Sequence, residues 1–310
     1  MLGTGRMSAP IVRNLLAAGF PVHVWNRTAS RACALEDAGA HVAPTASAAA
    51  RDAEVAVTML ADGDATERAV TGRDGALDAR APGTIWVQLG TIGTEWTLRL
   101  AARAHEHGIS FVDAPVFGSD GPARDGKLLI LAAGDESLRS RLEPIFDTIG
   151  RRTLWLGAIG NGSAPKLVLN VRLASITEAA AESVAFTQAL GLDPRLVGDT
   201  IADVPLGAPY AVAKANAMTA DQYEPGFAKR HGAKDVGLAL AVAERAGDAL
   251  PLLGLIDTRW GAAIDEGHWD EDVAAGVELF RAGEGSAETR REVHARSVYE
   301  GWAKRGSWEH

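Results

Sequence analysis

Residues 1–28 read M-L-G-T-G-R-M-S-A-P-I-V-R-N-L-L-A-A-G-F-P-V-H-V-W-N-R-T. They contain a G-x-G-x-x-S pattern, in which Gly3 and Gly5 allow a tight turn and a close approach of the backbone to a pyrophosphate. A helical pattern over Ala9–Ala18 follows and would present its N-terminus to that anion. A strand pattern over Val22–Trp25 comes next, so this stretch predicts a dinucleotide-binding unit.

The end of the same stretch predicts which nicotinamide cofactor binds. Asn26, Arg27 and Thr28 lie about 20 residues after the glycines, where a dinucleotide-binding site reads the ribose. Sites that prefer NAD place an acidic side chain there, whereas Asn26 is neutral and both Arg27 and Thr28 can bind a phosphate. We therefore predict NADP(H), with Arg6 and Met7 of the glycine loop also in contact with it. The alternative is that Arg27 is an ordinary surface arginine.

The strand that should precede the glycine loop is missing from the sequence. Only Met1 and Leu2 come before Gly3, although a doubly wound sheet places a central strand there. Loss of that strand would leave backbone groups of both neighbouring strands unpaired. Because a strand of ordinary length needs about five residues, the sequence predicts a natural start about that far upstream of Met1.

The rest of the chain divides into an alternating part and a helical part. Strands are predicted at Val55–Met59, Ile85–Leu89, Phe111–Asp113 and Leu128–Ala132, with helices such as Ala29–Ala38 and Glu95–His107 between them. This alternation indicates a parallel sheet with right-handed crossovers. A long helix is predicted at Ala164–Leu190, and later ones at Pro194–Ile201, Gly207–Ala217, His231–Ala246, Pro251–Glu266 and Glu271–Phe280.

These patterns predict an α/β protein with two domains. A Rossmann-like parallel-sheet domain at 1–161 is followed by an all-helical C-terminal domain at 162–280, which is joined to it by the long inter-domain helix. The cleft between the domains is the expected reaction site. Residues 281–310 are polar and rich in Arg and Glu, and they are predicted to form a surface helix that frays. Packing on a partner subunit is the alternative for this tail.

Composition and charge exclude several classes of function. The 310 residues carry a net charge of −9 and no long basic block, which argues against nucleic acid or a membrane surface as the main partner. Cys33 is the single cysteine, so no intrachain disulfide forms and a cytoplasmic location is expected. No cluster of His, Cys and Asp has metal-ligand spacing, and no stretch of about 18 residues is continuously apolar.

A lysine and an asparagine mark the candidate reaction centre. Lys166 and Asn170 follow a glycine-rich turn at 157–162 and stand four residues apart, on the same face of the long helix. The residues between them are apolar, so partial desolvation would lower the pKa of the lysine and suit it to proton transfer near neutral pH. The alternative, from these residues alone, is a solvated lysine beside a structural asparagine.

Four segments together resemble the β-hydroxyacid dehydrogenase family, which includes 3-hydroxyisobutyrate dehydrogenases and glyoxylate or succinic semialdehyde reductases. They are G-T-G-R-M-S-A-P-I-V-R-N-L-L-A-A-G with W-N-R-T, D-A-P-V-F-G-S-D-G-P-A-R-D-G-K-L at 113–128, G-N-G-S-A-P-K-L-V-L-N at 160–170, and K-D at 234–235. The resemblance covers about residues 1–280. It implies a homodimeric, NADPH-dependent enzyme that reduces the aldehyde or keto group of a small-molecule substrate.

The resemblance also implies roles for individual residues. Lys166 would protonate the forming alkoxide as general acid, and act as base in the reverse direction, while Asn170 positions the substrate. Gly118 and Ser119 would offer backbone N–H groups to a substrate carboxylate. The implied cofactor contacts on later segments are Leu60, Ala61, Thr91, Lys234 and Asp235. The last two would close over the cofactor from the second domain.

Two positions depart from the family pattern. Phe117 stands where the family usually has a serine whose hydroxyl helps to bind the carboxylate, and Val171 stands where a second polar residue commonly follows the asparagine. Both changes make the predicted substrate pocket less polar, so a larger or less charged carbonyl, or an imine, becomes a candidate substrate. The alternative is that Phe117 points away and packs against the sheet.

The sequence leaves two other functions open. Imine reductases share this architecture, but they usually lack the lysine present here as Lys166. A non-catalytic nucleotide-binding or scaffold protein is favoured by Phe117 and Val171, whereas Lys166 and Asn170 argue against it.

Three further side chains have two interpretations each. His231, three residues before Lys234, either contacts the substrate or caps a helix. Glu178 and Glu182 stand four residues apart on the long helix, and they are predicted to be a solvent-exposed pair rather than paired catalytic carboxylates.

Overall fold

The computed structural model describes residues 1–77, 83–205 and 207–282. The predicted polar tail therefore lies outside the described residues, apart from its first two positions. No helix within the described ranges is long and apolar enough to cross a membrane.

A sheet forms the centre of the first part of the chain. Its strands are β1 at His23–Val24, β2 at His41–Val42, β3 at Val55–Thr58, β4 at Ile85–Gln88, β5 at Ser110–Asp113, β6 at Val116–Phe117, β7 at Leu128–Ala132 and β8 at Gly150–Trp155. β1 pairs with β2, β3 with β4, β4 with β5, and β7 with β8, all in parallel, whereas β6 runs antiparallel to β7. The predicted parallel sheet is confirmed for β1 to β5, whereas β7 runs antiparallel to the end of β5, because Asp113 and Ala133 form an antiparallel bridge. The short strand β6 was not predicted.

The start of the chain takes the central place in this sheet. Leu2 forms parallel bridges to both Trp25, next to β1, and Thr58 of β3. Its N–H donates to the carbonyl oxygen of Val57 at 2.7 Å, and the N–H of Gly3 donates to that of Trp25 at 2.8 Å. With Leu2 counted as a strand, this half of the sheet has the doubly wound order. Leu2 thus bridges the two strands between which a longer strand was expected, and the start upstream of Met1 stays a prediction.

Helices precede, separate and follow the strands. The helices of the alternating part are α1 at Ser8–Ala17, α2 at Ala29–Cys33, α3 at Ala46–Ala50, α4 at Gly63–Val70, α5 at Thr94–Glu106, α6 at Asp120–Arg124 and α7 at Arg139–Ile149. The later helices are α8 at Ser163–Ala189, α9 at Arg195–Ala202, α10 at Pro209–Thr219, α11 at Lys229–Arg245, α12 at Pro251–Asp265 and α13 at Glu278–Ala282. The long α8 and the helical second part agree with the predicted fold class.

Two predicted helices are shorter than the sequence pattern indicated. The segment predicted as Ala29–Ala38 is α2 followed by a 3₁₀ turn at Glu36–Ala38, which left-handed Gly39 closes with a φ of +96°. Within the segment predicted as Glu271–Phe280, Val273–Val277 is a 3₁₀ helix and α13 begins only at Glu278. The Asp272 carboxylate accepts from the backbone N–H of Ala274 at 3.0 Å and starts the tighter turn.

Both faces of the sheet are buried. Along β4, Ile85 and Val87 belong to one apolar cluster and Trp86 belongs to another, each with almost no exposed surface. The first cluster includes residues of α1 and α7, and the second includes residues of α5. Because successive side chains of a strand point to opposite faces, a continuous apolar strand requires helices on both sides of the sheet.

The chain forms two compact units. One comprises Met1–Leu173 and His231–Leu253, and the other comprises Ala174–Arg230 and Gly254–His310, of which the structure describes the residues up to 282. The first unit therefore contains the sheet, the beginning of α8 and most of α11. The domain boundary predicted between residues 161 and 162 stays a prediction.

The second unit contains a buried polar cluster that the sequence analysis missed. Glu178, predicted to be solvent-exposed, is buried and accepts from Trp260 Nε1 at 2.6 Å and from Arg259 Nε at 2.9 Å. Lys229 is also buried, and its Nζ donates to the carbonyl oxygen of Val273 at 3.0 Å. The helical period alone could not reveal this cluster, because the partners of Glu178 lie about 80 residues further along the chain.

Candidate active site

The glycine loop before α1 has a conformation that needs glycine at its first position. Gly3 has a φ of +99°, and a Cβ added there would lie 2.4 Å from the carbonyl oxygen of Met59. A Cβ at Gly5 would meet nothing within 4 Å. Between them, the hydroxyl oxygen of Thr4 is buried and has no hydrogen-bond partner among the described residues. A tight turn, an unused hydroxyl and open space beside a helix N-terminus fit a bound phosphate group.

Asn26, after the end of β1, forms a hydrogen bond with the glycine loop. Its Oδ1 accepts from the backbone N–H of Thr4 at 3.2 Å, and its Nδ2 donates to the carbonyl oxygen of Thr28 at 2.9 Å. Both ends of the amide are therefore used within the chain. The side chains of Arg27 and Thr28 are exposed, so among the three predicted ribose-reading residues these two are open to a ligand.

The other predicted cofactor contacts of the first loops lie near the glycine turn. Leu60 packs against it, because a Cβ at Gly3 would lie 2.9 Å from Leu60 Cδ2. Leu60 and Met7 are half-buried, whereas Arg6 and Ala61 are exposed. The glycine loop and the loop after β3 are therefore in contact with each other, which agrees with the nucleotide-binding interpretation.

A buried carboxylate anchors the start of α8. Asp113, the last residue of β5, accepts from the N–H and the hydroxyl of Ser163 at 2.8 and 2.7 Å, and from the N–H of Gly160 at 3.2 Å. Burial raises the pKa of Asp113, and these hydrogen bonds oppose that rise. A Cβ at Gly162 would lie 2.7 Å from the Asp113 carbonyl oxygen, so the turn needs glycine. The anchor fixes the helical turn that precedes Lys166.

Lys166 is buried without a polar partner for its ammonium group. It exposes 8% of its surface, and its Nζ lies 4.7 Å from the centre of the Phe117 ring. The Phe117 ring lies within cation–π range of the Nζ, which makes no hydrogen bond or ion pair with the described residues. Burial lowers the pKa of Lys166 to about 8, the charge of Asp235 raises it, and that of Lys234 lowers it. Phe117 therefore faces the lysine and does not point away from it.

A chain of polar groups holds Asn170 in one orientation. Asn170 exposes 3% of its surface and its Nδ2 donates to Asp235 Oδ2 at 2.6 Å. Asp235 Oδ1 lies 2.9 Å from Lys234 Nζ, which also donates to the carbonyl oxygen of Thr91. Because an ionised carboxylate only accepts, the amide nitrogen must face Asp235. The Asn170 Oδ1 is left buried with no partner among the described residues, so it is free to accept from a ligand.

These residues belong to one compact unit. The resemblance implied that Lys234 and Asp235 come from the second domain, but the structure groups the segment His231–Leu253 with the sheet. The arrangement around Lys166 and Asn170 is therefore built by α8, α11, β6 and the loop after β4. The sequence could not predict it, because α11 begins more than 60 residues after Lys166.

The remaining predicted substrate residues lie after β6 and in α11. Gly118 has a φ of +137°, and a Cβ there would lie 2.9 Å from Leu128 Cδ2, so this position needs glycine. Ser119 precedes α6, and its hydroxyl makes no capping hydrogen bond with that helix. His231 lies in the first turn of α11, four residues before Asp235, and its two interpretations stay predictions. No group of three His, Cys, Asp or Glu side chains in the described part of the chain is arranged to hold a metal ion.

Known proteins match this chain along nearly all of its described length. Residues 1–157 match the family model described as the NAD binding domain of 6-phosphogluconate dehydrogenase. Residues 160–280 match the model described as the NAD-binding domain of NADP-dependent 3-hydroxyisobutyrate dehydrogenase. The two models together cover the glycine loop, α8 with Lys166 and Asn170, and the Lys234–Asp235 pair.

Individual proteins are similar to the chain over the same length. Glyoxylate/succinic semialdehyde reductase 1 of Arabidopsis thaliana is 34% identical over 284 residues, which are 90% of this chain and 97% of that protein. The chloroplastic reductase 2 of that plant is 32% identical over 281 residues, 91% of this chain and 78% of the relative. The solved structure of Mycobacterium tuberculosis 3-hydroxyisobutyrate dehydrogenase with L-serine has 28% identity and a TM-score of 0.80, covering 90% of this chain and 97% of that one.

The fold, the glycine loop and these similarities define an oxidoreductase built on a dinucleotide-binding sheet. The chain belongs to the β-hydroxyacid dehydrogenase family, the NAD(P)-dependent hydroxyacid dehydrogenases and semialdehyde reductases. The predicted family and the Rossmann-like fold are confirmed, and the matching NAD-binding models support a nicotinamide cofactor.

Proposed function

We propose that this protein is an NADPH-dependent reductase of an aldehyde or ketone, with Lys166 as the general acid. The observation that carries the proposal is the buried, unpartnered ammonium group of Lys166, which stands one helical turn from Asn170. A pKa of about 8 leaves this group mostly protonated at neutral pH, yet able to release its proton.

The residues of the site have complementary tasks in this proposal. A bound nicotinamide cofactor supplies the hydride. Lys166 donates a proton to the substrate oxygen as negative charge develops there, and it removes that proton in the oxidation direction. Asn170 accepts a hydrogen bond through its Oδ1, because Asp235 holds its Nδ2. Lys234 holds Asp235 against the backbone at Thr91, so the polar groups are oriented before a substrate arrives.

The choice of NADPH over NADH rests on the residues after β1. Asn26 is neutral and occupied within the chain, so no acidic side chain stands where the 2′-hydroxyl of NAD would be bound. Arg27 is exposed and adjacent to the glycine loop through Asn26, which suits it to pair with a 2′-phosphate. The substrate would bind near Phe117, Gly118 and Ser119.

The names of the relatives support an aldehyde as the substrate, and Phe117 restricts which carbonyl compounds would fit beside Lys166. The two Arabidopsis thaliana proteins are named for reduction of glyoxylate and succinic semialdehyde, which supports an aldehyde. Phe117 brings an apolar ring to the lysine, and the negative face of an aromatic ring does not favour a neighbouring carboxylate. We therefore infer a carbonyl without a carboxylate on the reacting carbon.

A carbonyl panel tests the proposed function. NADPH consumption is followed with methyl glyoxylate, glyoxylate, succinic semialdehyde and a cyclic imine, each in parallel with NADH. Reduction of the neutral ester in preference to the acid supports the proposal, whereas preferential reduction of the imine would replace it with imine reductase activity. If NADPH raises the melting temperature but no compound is reduced, the result favours the scaffold function over the reductase.

A homodimer is the second part of the proposal. In the helical unit, Phe186, Leu190, Leu192 and Leu196 are large apolar side chains with about half or more of their surface exposed. Light scattering coupled to size-exclusion chromatography measures the molar mass directly. A mass equal to the single-chain value of 32.5 kDa would contradict a dimer.

A further inference from the structure

We propose that Phe117 is a positioning residue for Lys166, which holds the ammonium group through the face of its ring and sets its proton affinity. This inference rests on the proposed function only for its consequence in catalysis. The contact itself is a property of the folded chain, and it can be measured without any substrate.

The geometry provides the first argument. The Lys166 Nζ lies 4.7 Å from the centre of the Phe117 ring, within the range of a cation–π interaction. Lys166 makes no hydrogen bond or ion pair with the described residues, so the ring is the group that holds its ammonium in place. A four-carbon side chain would otherwise sample several rotamers, and proton transfer requires one of them.

The backbone around Phe117 provides the second argument, because it fixes where the ring can lie. Phe117 pairs with Leu129 of β7 in antiparallel register. The next residue, Gly118, has a φ of +137° and is packed so closely that a Cβ would approach Leu128 and Pro122 to within 2.9 and 3.1 Å. The ring is therefore carried by a short strand and a turn that allow little movement.

The ring exerts two opposing effects on the lysine. Its apolar surface lies against the ammonium group and reduces its contact with water, which favours the neutral amine. Its electron-rich face attracts the ammonium group, which favours the charged form. The other charged groups that act on Lys166 are Asp235 and Lys234, both on α11, and a substitution at Phe117 leaves both residues in the chain. Two substitutions can therefore separate the two effects of the ring.

Phe117→Ser and Phe117→Leu are expected to move the pKa of Lys166 in opposite directions. Serine is smaller and polar, so more water reaches the Lys166 ammonium group, and the pKa of Lys166 rises toward that of an exposed lysine. Leucine keeps an apolar surface of similar size but has no π-face, so the pKa falls by roughly half a unit to one unit. Phe117→Tyr keeps the ring and is expected to leave the pKa close to that of the wild type.

Competitive labelling measures this pKa directly. The cofactor-free protein is treated with an amine-acylating reagent from pH 6 to 11, and mass spectrometry gives the labelled fraction of Lys166 at each pH. Lys127, whose side chain is 64% exposed, is the internal control and should titrate identically in every variant. Thermal melts identify any variant that does not fold, and the tyrosine variant then remains as a comparison.

The outcomes distinguish the role of Phe117 from the proposed function. A rise for serine with a fall for leucine supports the inference, whereas unchanged midpoints in both folded variants, or shifts in the same direction, overturn it. The pH at which kcat for carbonyl reduction declines is then compared with each midpoint. If the Lys166 midpoints move but the kcat profiles do not follow, Phe117 acts as inferred and Lys166 is not the general acid.

Discussion

Replacing Lys166 with methionine should make the protein more stable while abolishing its activity. Lys166 has a pKa of about 8 in the folded chain, compared with 10.5 for an exposed lysine. At about 1.4 kcal/mol for each pKa unit, the charged form is disfavoured in the folded state by about 3 kcal/mol. Methionine has a similar length and no charge to desolvate. At pH 7, the free energy of unfolding of Lys166→Met is therefore expected to exceed that of the wild type by up to about 3 kcal/mol.

The pH dependence of this difference follows from the direction of the shift. Below pH 8 the lysine is protonated in both states, and the full cost of burying its charge is present. Between about pH 8 and 10.5 the folded state loses its proton while the unfolded state keeps it, so the wild type gains stability as the pH rises. The advantage of Lys166→Met should therefore be largest at pH 7 and small near pH 10.5.

Urea denaturation at several pH values measures both expectations. The signal is tryptophan fluorescence, because Trp86 is buried in the core of the sheet. The exposed Lys127→Met variant is the control, and its difference from the wild type should not depend on pH in the same way. The reasoning about desolvation is refuted if Lys166→Met is no more stable than the wild type at pH 7, or if its advantage does not diminish between pH 8 and 10.5.

Three further predictions concern the cofactor, the pocket and the helix anchor. Arg27→Ala should weaken NADPH binding roughly 10- to 100-fold and leave NADH unchanged, with exposed Arg31→Ala as the control in fluorescence titrations. Equal losses for both cofactors would contradict the 2′-phosphate assignment. Phe117→Ser should raise the ratio of kcat/KM for glyoxylate to kcat/KM for its methyl ester by about tenfold or more, because a hydroxyl can bind a carboxylate. If this ratio is unchanged, the polarity of residue 117 does not determine which substrate is preferred. Asp113→Asn should lower the free energy of unfolding by about 1–3 kcal/mol, since the amide cannot accept all three hydrogen bonds equally well. If urea denaturation shows a decrease in the free energy of unfolding of less than about 0.3 kcal/mol, Asp113 does not anchor α8.

The ends of some helices follow from the local sequence pattern, whereas other ends depend on single side chains. Helix α8 was predicted within one residue at each end, because a long run of helix-forming residues is a local property. The 3₁₀ helix at Val273–Val277 was not predicted, because the Asp272 side chain determines it by capping. The antiparallel strand β6 was also missed, since two residues are too few to show a period.

In the candidate site, too, some features follow from the local sequence and others only from the packing of distant segments. The sequence by itself determined the nucleotide-binding unit and the pair Lys166 and Asn170, because glycine spacing and helical spacing act over a few residues. Only the tertiary structure decided what surrounds that pair. It placed the Phe117 ring over the ammonium group and the Asp235 carboxylate against the Asn170 amide. These contacts join residues separated by about 50 and 65 positions, and such pairings arise from chain packing, for which one sequence carries no local signal.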